Sequence, residues 1–296
     1  MEDHVSLRVR NWRRYLSVPL KELIANPPSS CTGQHRVAVW VSPEMTPATV
    51  ARLLVWHTRY HVALGFTCEL AYLYQKQLDA VIADPDIMHL VQQSQLWLVL
   101  VEDFFPEFTW NSTGREHGVE RNFVENTDRG IAVNYTDQMV VNVHSVLAST
   151  GQDTWLLSVD LDEYLAVSHP SEVQDLFAQC LNGTSALIQQ FPATCPNCST
   201  AGSDLPFWME VSGQHPLASY VERYPIVDGI KSLLRPDDVI SFGVHMATLR
   251  QGQQLGPDVA AGCGILLLHL EDMYIQRYFG DREGNITDWK WVFDRL

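Results

Sequence analysis

Short apolar segments alternate with segments of helical periodicity over the first half of the chain, and this alternation constrains the fold most strongly. The predicted strands are rich in β-branched, aromatic and leucine residues and cover residues 36–42, 67–73, 96–101 and 155–159. The predicted helices between them cover residues 46–64, 78–91 with a break at Asp84-Pro85, and 136–149. Strands separated by helices favour a parallel sheet with helices on its faces. We therefore expect an α/β protein with a Rossmann-like, mixed but mostly parallel sheet and helices on both faces.

The remaining sequence is less regular. We predict a helix at 171–180, strands near 186–190 and 239–247, and a long loop at 104–133. Residues 1–30 carry five of the twenty basic residues and end in Asn-Pro-Pro-Ser-Ser. We interpret them as an N-terminal appendage or linker, which leaves residues 31–296 as one domain.

The charge, the composition and the length of the apolar runs together exclude several classes of protein. The 296 residues include 35 acidic and 20 basic side chains, a net charge of −15 at pH 7. Such a surface repels phosphate backbones, which excludes a general nucleic-acid-binding protein but not a nucleotide held through a metal ion. The hydrophobic content of 46% is typical of a globular protein. The apolar runs are shorter than the roughly 18 residues of a membrane-spanning helix, so we expect membrane association only through a segment absent from this chain.

Glycosylation sequons and cysteines indicate the secretory pathway. Five of the ten asparagines lie in Asn-x-Ser/Thr sequons, at Asn111, Asn134, Asn182, Asn197 and Asn285. A sequon matters only for a protein that meets the glycosylation machinery. The six cysteines are an even number, which permits disulfides. Cys195-x-x-Cys198 has no second pair at zinc-site spacing, so we interpret it as a structural disulfide or as plain thiols.

An acidic motif, Asp-Leu-Asp-Glu-Tyr at residues 160–164, directly follows the predicted strand 155–159. In open α/β sheets, ligands bind beyond the carboxyl ends of the strands. Carboxylates crowded at such an end repel one another, and a divalent cation with oxygen ligands relieves that repulsion. Asp160 and Asp162 alternate along the chain and can face one ligand, so they predict a cation site that a pyrophosphate can complete.

Two other interpretations of this motif fit less well. A calcium EF-hand loop needs Gly at its sixth position, where this chain has Leu165. A phosphatase of the haloacid-dehalogenase type would use Asp160 as its nucleophile. Its motif usually has Thr or Val at the fifth position and lies early in the domain, whereas here the fifth residue is Tyr164 and three strands precede it. An Asp-x-Asp phosphatase or phosphotransferase is therefore the alternative enzyme class.

The acidic motif, extended by Leu165, resembles the Asp-x-Asp-Glu-Phe/Tyr motif of glycosyltransferase family 92, the former DUF23 group. Further blocks resemble that family in the same order, and the resemblance covers about residues 36–280. These blocks are Arg59-Tyr60-His61 with Leu64-Gly65, Trp155-Leu156-Leu157, Lys231-Ser232 with Arg235-Pro236 and Val244-His245, and Leu268-His269.

The resemblance implies a GT-A fold, in which a Rossmann-like sheet binds a nucleotide-sugar, usually with Mn²⁺. By that analogy Asp162 binds the metal and Asp160 binds the ribose or the metal. His245 or His269 is the third protein ligand, and Lys231 steadies the diphosphate. The implied activity is that of an inverting hexosyltransferase that moves a sugar from a UDP-linked donor to a hydroxyl of a glycan acceptor. The implied location is the Golgi lumen, with the full-length form anchored in the membrane.

Other residues complete the predicted site. An inverting transfer needs a carboxylate as general base near the acceptor hydroxyl, and Glu210, Glu222 and Asp204 qualify by position. Trp208 is the candidate for stacking on the acceptor. His57 and His61 lie on an apolar helical face, and we interpret both as core histidines.

The chain also departs from the family pattern. Leu270 stands where the family commonly has Tyr, and no Lys follows within the next twelve residues. The family's glycine-rich acceptor segment is replaced by residues 191–200. These departures support a third hypothesis, a carbohydrate-binding relative that has kept the fold and lost catalysis.

Glycosylation is the first testable prediction. We expect a signal-bearing version expressed in eukaryotic cells to carry a glycan at Asn111, at Asn285 or at both, because Asn111 lies in the predicted loop and Asn285 in the polar C-terminal region. N-glycosidase treatment should lower the apparent mass on a gel. A cytosolic protein with no mobility shift would contradict this prediction and weaken the secretory assignment.

Overall fold

The computed structural model describes sixteen strands and six α-helices. It describes residues 4–8, 15–19, 31, 35–42, 45–101, 123–126, 131–167, 173–194, 222–223, 229–243, 245–270 and 283–285. The strands are β1 (His4–Arg8), β2 (Tyr15–Pro19), β3 (His35–Trp40), β4 (Cys68–Leu73), β5 (Leu96–Leu100), β6 (Phe123–Asn126), β7 (Ile131–Asn134), β8 (Trp155–Asp160), β9 (Glu163–Val167), β10 (Ala186–Thr194), β11 (Glu222–Arg223), β12 (Gly229–Leu234), β13 (Val239–Phe242), β14 (Ala247–Leu249), β15 (Ile265–Leu270) and β16 (Glu283–Asn285). The helices are α1 (Pro47–Leu64), α2 (Gln75–Ala83), α3 (Pro85–Gln92), α4 (Tyr135–Ser149), α5 (Val173–Cys180) and α6 (Pro257–Gly262).

One large sheet organises the fold. Its strands follow the order β16-β11-β10-β12-β8-β3-β4-β5, and β15 joins β9 to β10 beside this row. The neighbours β8, β3, β4 and β5 are parallel. β12 joins β8 in the antiparallel direction, whereas β10 and β15 are parallel. The α/β class is confirmed, and one half of the strand row is the parallel unit that the strand–helix alternation predicts.

Two apolar clusters cover the two faces of the sheet. Val37 and Val39 of β3 pack in the larger cluster together with residues of α1. Ala38 and Trp40 of the same strand pack in the second cluster together with residues of α4. Because successive side chains of a strand point to opposite faces, a parallel strand buried on both faces is apolar throughout. Helices therefore lie on both faces, as predicted.

The first helix begins and ends where its sequence predicts. The side chain of Thr46 accepts a hydrogen bond from the backbone N–H of Thr49 at 3.3 Å, and Pro47 is the first helical residue. Gly65 adopts a φ of 108°, which favours glycine, and its N–H reaches the carbonyls of His61 and Val62. These caps fix which residues of α1 face the sheet.

Local sequence divides or reshapes several predicted elements. The predicted break at Asp84-Pro85 is confirmed, because Pro85 starts α3 and the side chain of Asp84 caps it by accepting from the N–H groups of Asp86 and Ile87. Part of the predicted loop 104–133 is a hairpin of β6 and β7. The predicted strand 239–247 is likewise a hairpin, of β13 and β14.

The N-terminal segment and the cysteines add detail to the prediction. Within residues 1–30, β1 and β2 pair with each other in the antiparallel direction. Disulfides join Cys31 to Cys68 and Cys180 to Cys263. Residues 195–198, with the Cys-x-x-Cys pair, lie outside the described residues. None of the helices in the described part of the chain is both long enough and apolar enough to cross a membrane.

A buried tyrosine–histidine pair lies on the α4 face of the sheet. The Tyr72 hydroxyl is 2.8 Å from Nδ1 of His144. Burial lowers the pKa of His144 to about 4, and burial raises the pKa of Tyr72 above its usual range. Both groups are therefore neutral at pH 7, and a single hydrogen bond joins the Tyr72 hydroxyl to the His144 ring.

This pair makes stability depend on pH. The pKa of His144 falls from 6.5 to about 4 on folding, so the unfolded chain binds the proton more readily between these values. The contribution of neutral His144 to the free energy of unfolding is complete above pH 6.5. As the pH falls towards 4, the free energy of unfolding decreases by about 3 kcal/mol. We expect His144→Gln to lose less stability than the wild type over this interval. Denaturant unfolding at pH 7 and pH 4.5 measures the difference, and identical losses in the two proteins would contradict it.

Candidate functional site

The acidic motif lies at the carboxyl edge of the parallel unit. Asp160 is the last residue of β8, and its Cα pairs with that of Trp40 at the end of β3. Leu161 is buried in the larger apolar cluster, and Glu163 begins β9. The chain therefore reverses within the motif, which holds its carboxylates at the strand end where the sequence predicts a ligand site.

Lys231 lies between two of these carboxylates. Its Nζ donates to Oδ2 of Asp160 at 2.9 Å and lies 3.1 Å from Oε2 of Glu163. Lys231 is only 2% exposed and lies on β12, which pairs with β10 on one side and with β8 on the other. Burial alone would lower the pKa of Lys231, but Asp160 and Glu163 outweigh that effect and raise it. Lys231 is therefore a charged residue whose positive charge is held inside the acidic motif.

Asp160 is the most exposed member of this ion-pair cluster. Its side chain is 23% exposed, against 3% for that of Lys231. Gln138 of α4 donates from Nε2 to Oδ1 of Asp160 at 2.7 Å, while Lys231 donates to Oδ2. A carboxylate oxygen has a second acceptor position. Hydrogen bonds from Gln138 and Lys231 thus fix the Asp160 carboxylate, which can still accept a hydrogen bond from a ligand.

Asp162 meets His269, one of its two predicted histidine partners. Nε2 of His269 is 3.2 Å from Oδ2 of Asp162, and both side chains are buried. The pairing of β15 with β9 places His269 opposite Glu163, and the N–H of Leu270 donates to the Asp162 carbonyl at 2.8 Å. The backbone contact of Leu270 and the side-chain contact of His269 therefore both hold Asp162 against β15.

Glu163 is buried at the centre of this cluster. Its Oε2 accepts from the backbone N–H of Asp160 at 2.8 Å. Burial, together with the charge of Asp160, raises the pKa of Glu163 to about 7, against the opposing effects of Lys231 and His269. The sequence analysis assigns Glu163 no separate role, although the side chain holds both the end of β8 and Lys231.

His245 lies in the turn between β13 and β14. Its carbonyl accepts from Oγ of Ser232 at 2.7 Å, and its side chain is exposed. Desolvation and the charge of Lys231 lower the pKa of His245, and the charge of Asp160 opposes them. Of the two predicted histidine ligands, the structure brings His269 into hydrogen-bond contact with Asp162, whereas His245 interacts with Asp160 and Lys231 electrostatically.

Two polar residues of α4 support the site and are not among the predicted site residues. Gln138 holds Asp160, and Asn142 lies one turn later on the same helix face. Nδ2 of Asn142 donates to the carbonyl of Gly243, and its Oδ1 accepts from Ser158 of β8, both at 2.7 Å. α4 therefore links the end of β8 to the turn that carries His245. The available signal is two amide side chains at a spacing of four on a largely apolar helix.

One group of described residues has ligand atoms close enough together to hold a metal ion, and it lies beside the acidic motif. It consists of His57, His61 and Glu69, all buried, with ligand atoms within 4.8 Å of one another. Nδ1 of His57 is 2.8 Å from Oε2 of Glu69. Nδ1 of His61 is 3.9 Å from the same oxygen.

Of the residues predicted to lie on the acceptor side, only Glu222 is among the described residues. Glu210, Asp204 and Trp208 lie outside the described residues. Glu222 begins the short strand β11, where its Cα pairs with those of Thr194 and Asn285. The assignment of a general base stays a prediction.

The chain was compared with known proteins. Neither the protein-family models nor the curated proteins contain a match to this chain.

The ion-pair cluster leads to a prediction about stability. We expect Lys231→Met to lower the free energy of unfolding by about 3 kcal/mol at pH 7, because it leaves buried carboxylates without their cation. Arg59→Met is the matched control, since Arg59 pairs with Asp86 at 3.0 Å on the surface. That variant should lose less than about 1 kcal/mol. Denaturant unfolding measures both, and equal losses would contradict the assignment of Lys231 as a buried counter-ion.

Proposed function

We propose that this protein is a divalent-cation-dependent glycosyltransferase with a GT-A-type fold. It moves a sugar from a nucleotide-sugar, with a UDP-linked hexose as the first candidate, to a hydroxyl of a glycan. The observation that carries the proposal is the pair formed by Asp162 and His269 at the carboxyl end of a central parallel strand, next to Asp160 and Lys231.

The residues present fit a divalent cation. Two ligand atoms that are each about 2.1 Å from one octahedral ion lie about 3 Å apart. Nε2 of His269 and Oδ2 of Asp162 are 3.2 Å apart. One imidazole nitrogen and one carboxylate oxygen suit Mn²⁺, and phosphate oxygens and water would fill the other positions. A bound cation would offset the negative charge that develops on the departing diphosphate.

The other residues prepare the strand end for an anionic donor. Lys231 brings positive charge to a site with three carboxylates, which reduces the repulsion of a diphosphate. Asp160, fixed by Gln138 and Lys231, offers its remaining acceptor positions to the ribose hydroxyls. Because these partners are preorganised, they need little rearrangement when the donor binds.

The phosphatase alternative has less support. A nucleophilic Asp160 would need an electron-rich oxygen, but the hydrogen bonds from Gln138 and Lys231 draw charge from both of its carboxylate oxygens and make them weaker nucleophiles.

The proposed location is the secretory pathway, in the Golgi lumen. The two disulfides are compatible with it, since disulfides persist in oxidising compartments.

Calorimetry of UDP binding with and without Mn²⁺ tests the proposal. We expect the wild type to bind UDP only when Mn²⁺ is present, and Asp162→Asn to bind at least tenfold more weakly because it removes the negative charge of a cation ligand. Asp86→Asn, a change of an exposed carboxylate, is the matched control and should bind like the wild type.

Two results would count against this function. Unchanged affinity in Asp162→Asn would remove the cation site from the acidic motif. Steady hydrolysis of p-nitrophenyl phosphate by the wild type, lost in Asp160→Asn, would favour the phosphatase.

A further inference from the structure

Three side chains of α1 hold the backbone of residues 163–165, at the end of the acidic motif. Nε2 of His57 lies 2.9 Å from the carbonyl oxygen of Glu163. The Tyr60 hydroxyl donates to the carbonyl of Leu165 at 2.7 Å, and the N–H of Leu165 lies 3.4 Å from Nε2 of His61. Positions three and four residues apart share one helix face, so a single face of α1 contacts both ends of residues 163–165.

Glu69 orients the first of these side chains. Its Oε2 is 2.8 Å from Nδ1 of His57, and its Oε1 accepts from the Thr58 hydroxyl at 3.0 Å. Glu69 is 1% exposed and His57 is 0% exposed. A carbonyl oxygen only accepts, so Nε2 of His57 carries a proton and donates it to Glu163. Glu69 and His57 share a further proton across the Nδ1 contact, and this fixes the plane of the ring.

We infer that Glu69 and His57 are positioning residues for the ligand site at the end of β8. The His57 contact fixes the backbone of Glu163. The Glu163 side chain in turn holds the N–H of Asp160 and the Nζ of Lys231. A displacement of this backbone would therefore move the carboxylates that bind the ligand, although neither positioning residue touches it.

The hydrogen bonds of His61 favour this role over a metal centre at His57, His61 and Glu69. Nδ1 of His61 is 3.0 Å from the His57 carbonyl and must carry a proton there. Nε2 of the same ring accepts the N–H of Leu165. A metal ion at this group would need a ring lone pair of His61, and binding it would break either the contact of Nδ1 with the His57 carbonyl or that of Nε2 with the Leu165 N–H.

Two isosteric substitutions of His57 separate its two contacts. The amide nitrogen of Gln in His57→Gln can take the place of Nε2 and still donate to Glu163. The amide of Asn in His57→Asn can take the place of Nδ1 and still meet Glu69, but it is too short to reach Glu163. His144→Gln, a change of a buried histidine on the opposite face of the sheet, is the matched control.

The first readout is calorimetric affinity for UDP with Mn²⁺, and it rests on the proposed function. We expect His57→Asn to bind at least tenfold more weakly, and His57→Gln and His144→Gln to stay within threefold of the wild type. All three variants should lose thermal stability, so a merely structural role would weaken binding in proportion to the lost stability. Such proportional losses would overturn the inference.

Amide hydrogen exchange of the ligand-free protein gives the second readout. We expect exchange in residues 160–165 to accelerate at least tenfold in His57→Asn and to stay near the wild-type rate in His57→Gln. This result in a protein that binds no UDP would sustain the positioning role and remove the proposed function. Equal exchange in the two variants would overturn the positioning role, and so would one equivalent of zinc in the purified wild type that is lost in His61→Phe.

Discussion

The ion pairs of Lys231 are the interaction on which the rest of the site depends. Three carboxylates lie within four residues at the end of β8, and this arrangement would be strongly repulsive without a cation among them. Lys231 contacts Asp160 and Glu163, and His269 contacts Asp162. These contacts offset the repulsion at the strand end without any ligand. The positive charge of Lys231 reduces the negative charge of the three carboxylates but does not cancel it. A site of this kind suits an anionic ligand that brings a cation with it.

The sequence analysis identifies the parts of the fold that local chemistry determines. Thr46, Pro47 and Gly65 set the limits of α1, and apolar runs buried on both faces form the central parallel strands. The sequence does not predict the hairpin of β13 and β14 or the strand β9. Their sequences are short and partly polar, and their pairing depends on neighbours that are distant in sequence.

The same distinction applies to the site. Asp160 and Asp162 stand out because acidic residues crowd one strand end, and Lys231 and His269 are found through a resemblance to a known family. For other residues the sequence does not indicate the partner. The contact between Gln138 and Asp160 spans 22 residues, and that between His57 and Glu163 spans 106. The spacing of Gln138 and Asn142 marks a polar helix face but not what it contacts, and a buried His can be satisfied by many arrangements.

The position of β15 has a consequence for the order in which this protein matures. β15 is the last described strand to contact the acidic motif, and it pairs with β9 and β10, which are formed much earlier in the chain. Domains fold from the N-terminus as synthesis proceeds. The parallel unit of β3, β4, β5 and β8 can thus assemble while residue 269 is still on the ribosome. Asp162 gains its contact with His269 only when β15 docks, so a nascent chain has the carboxylates of the acidic motif in place before this hydrogen bond can form.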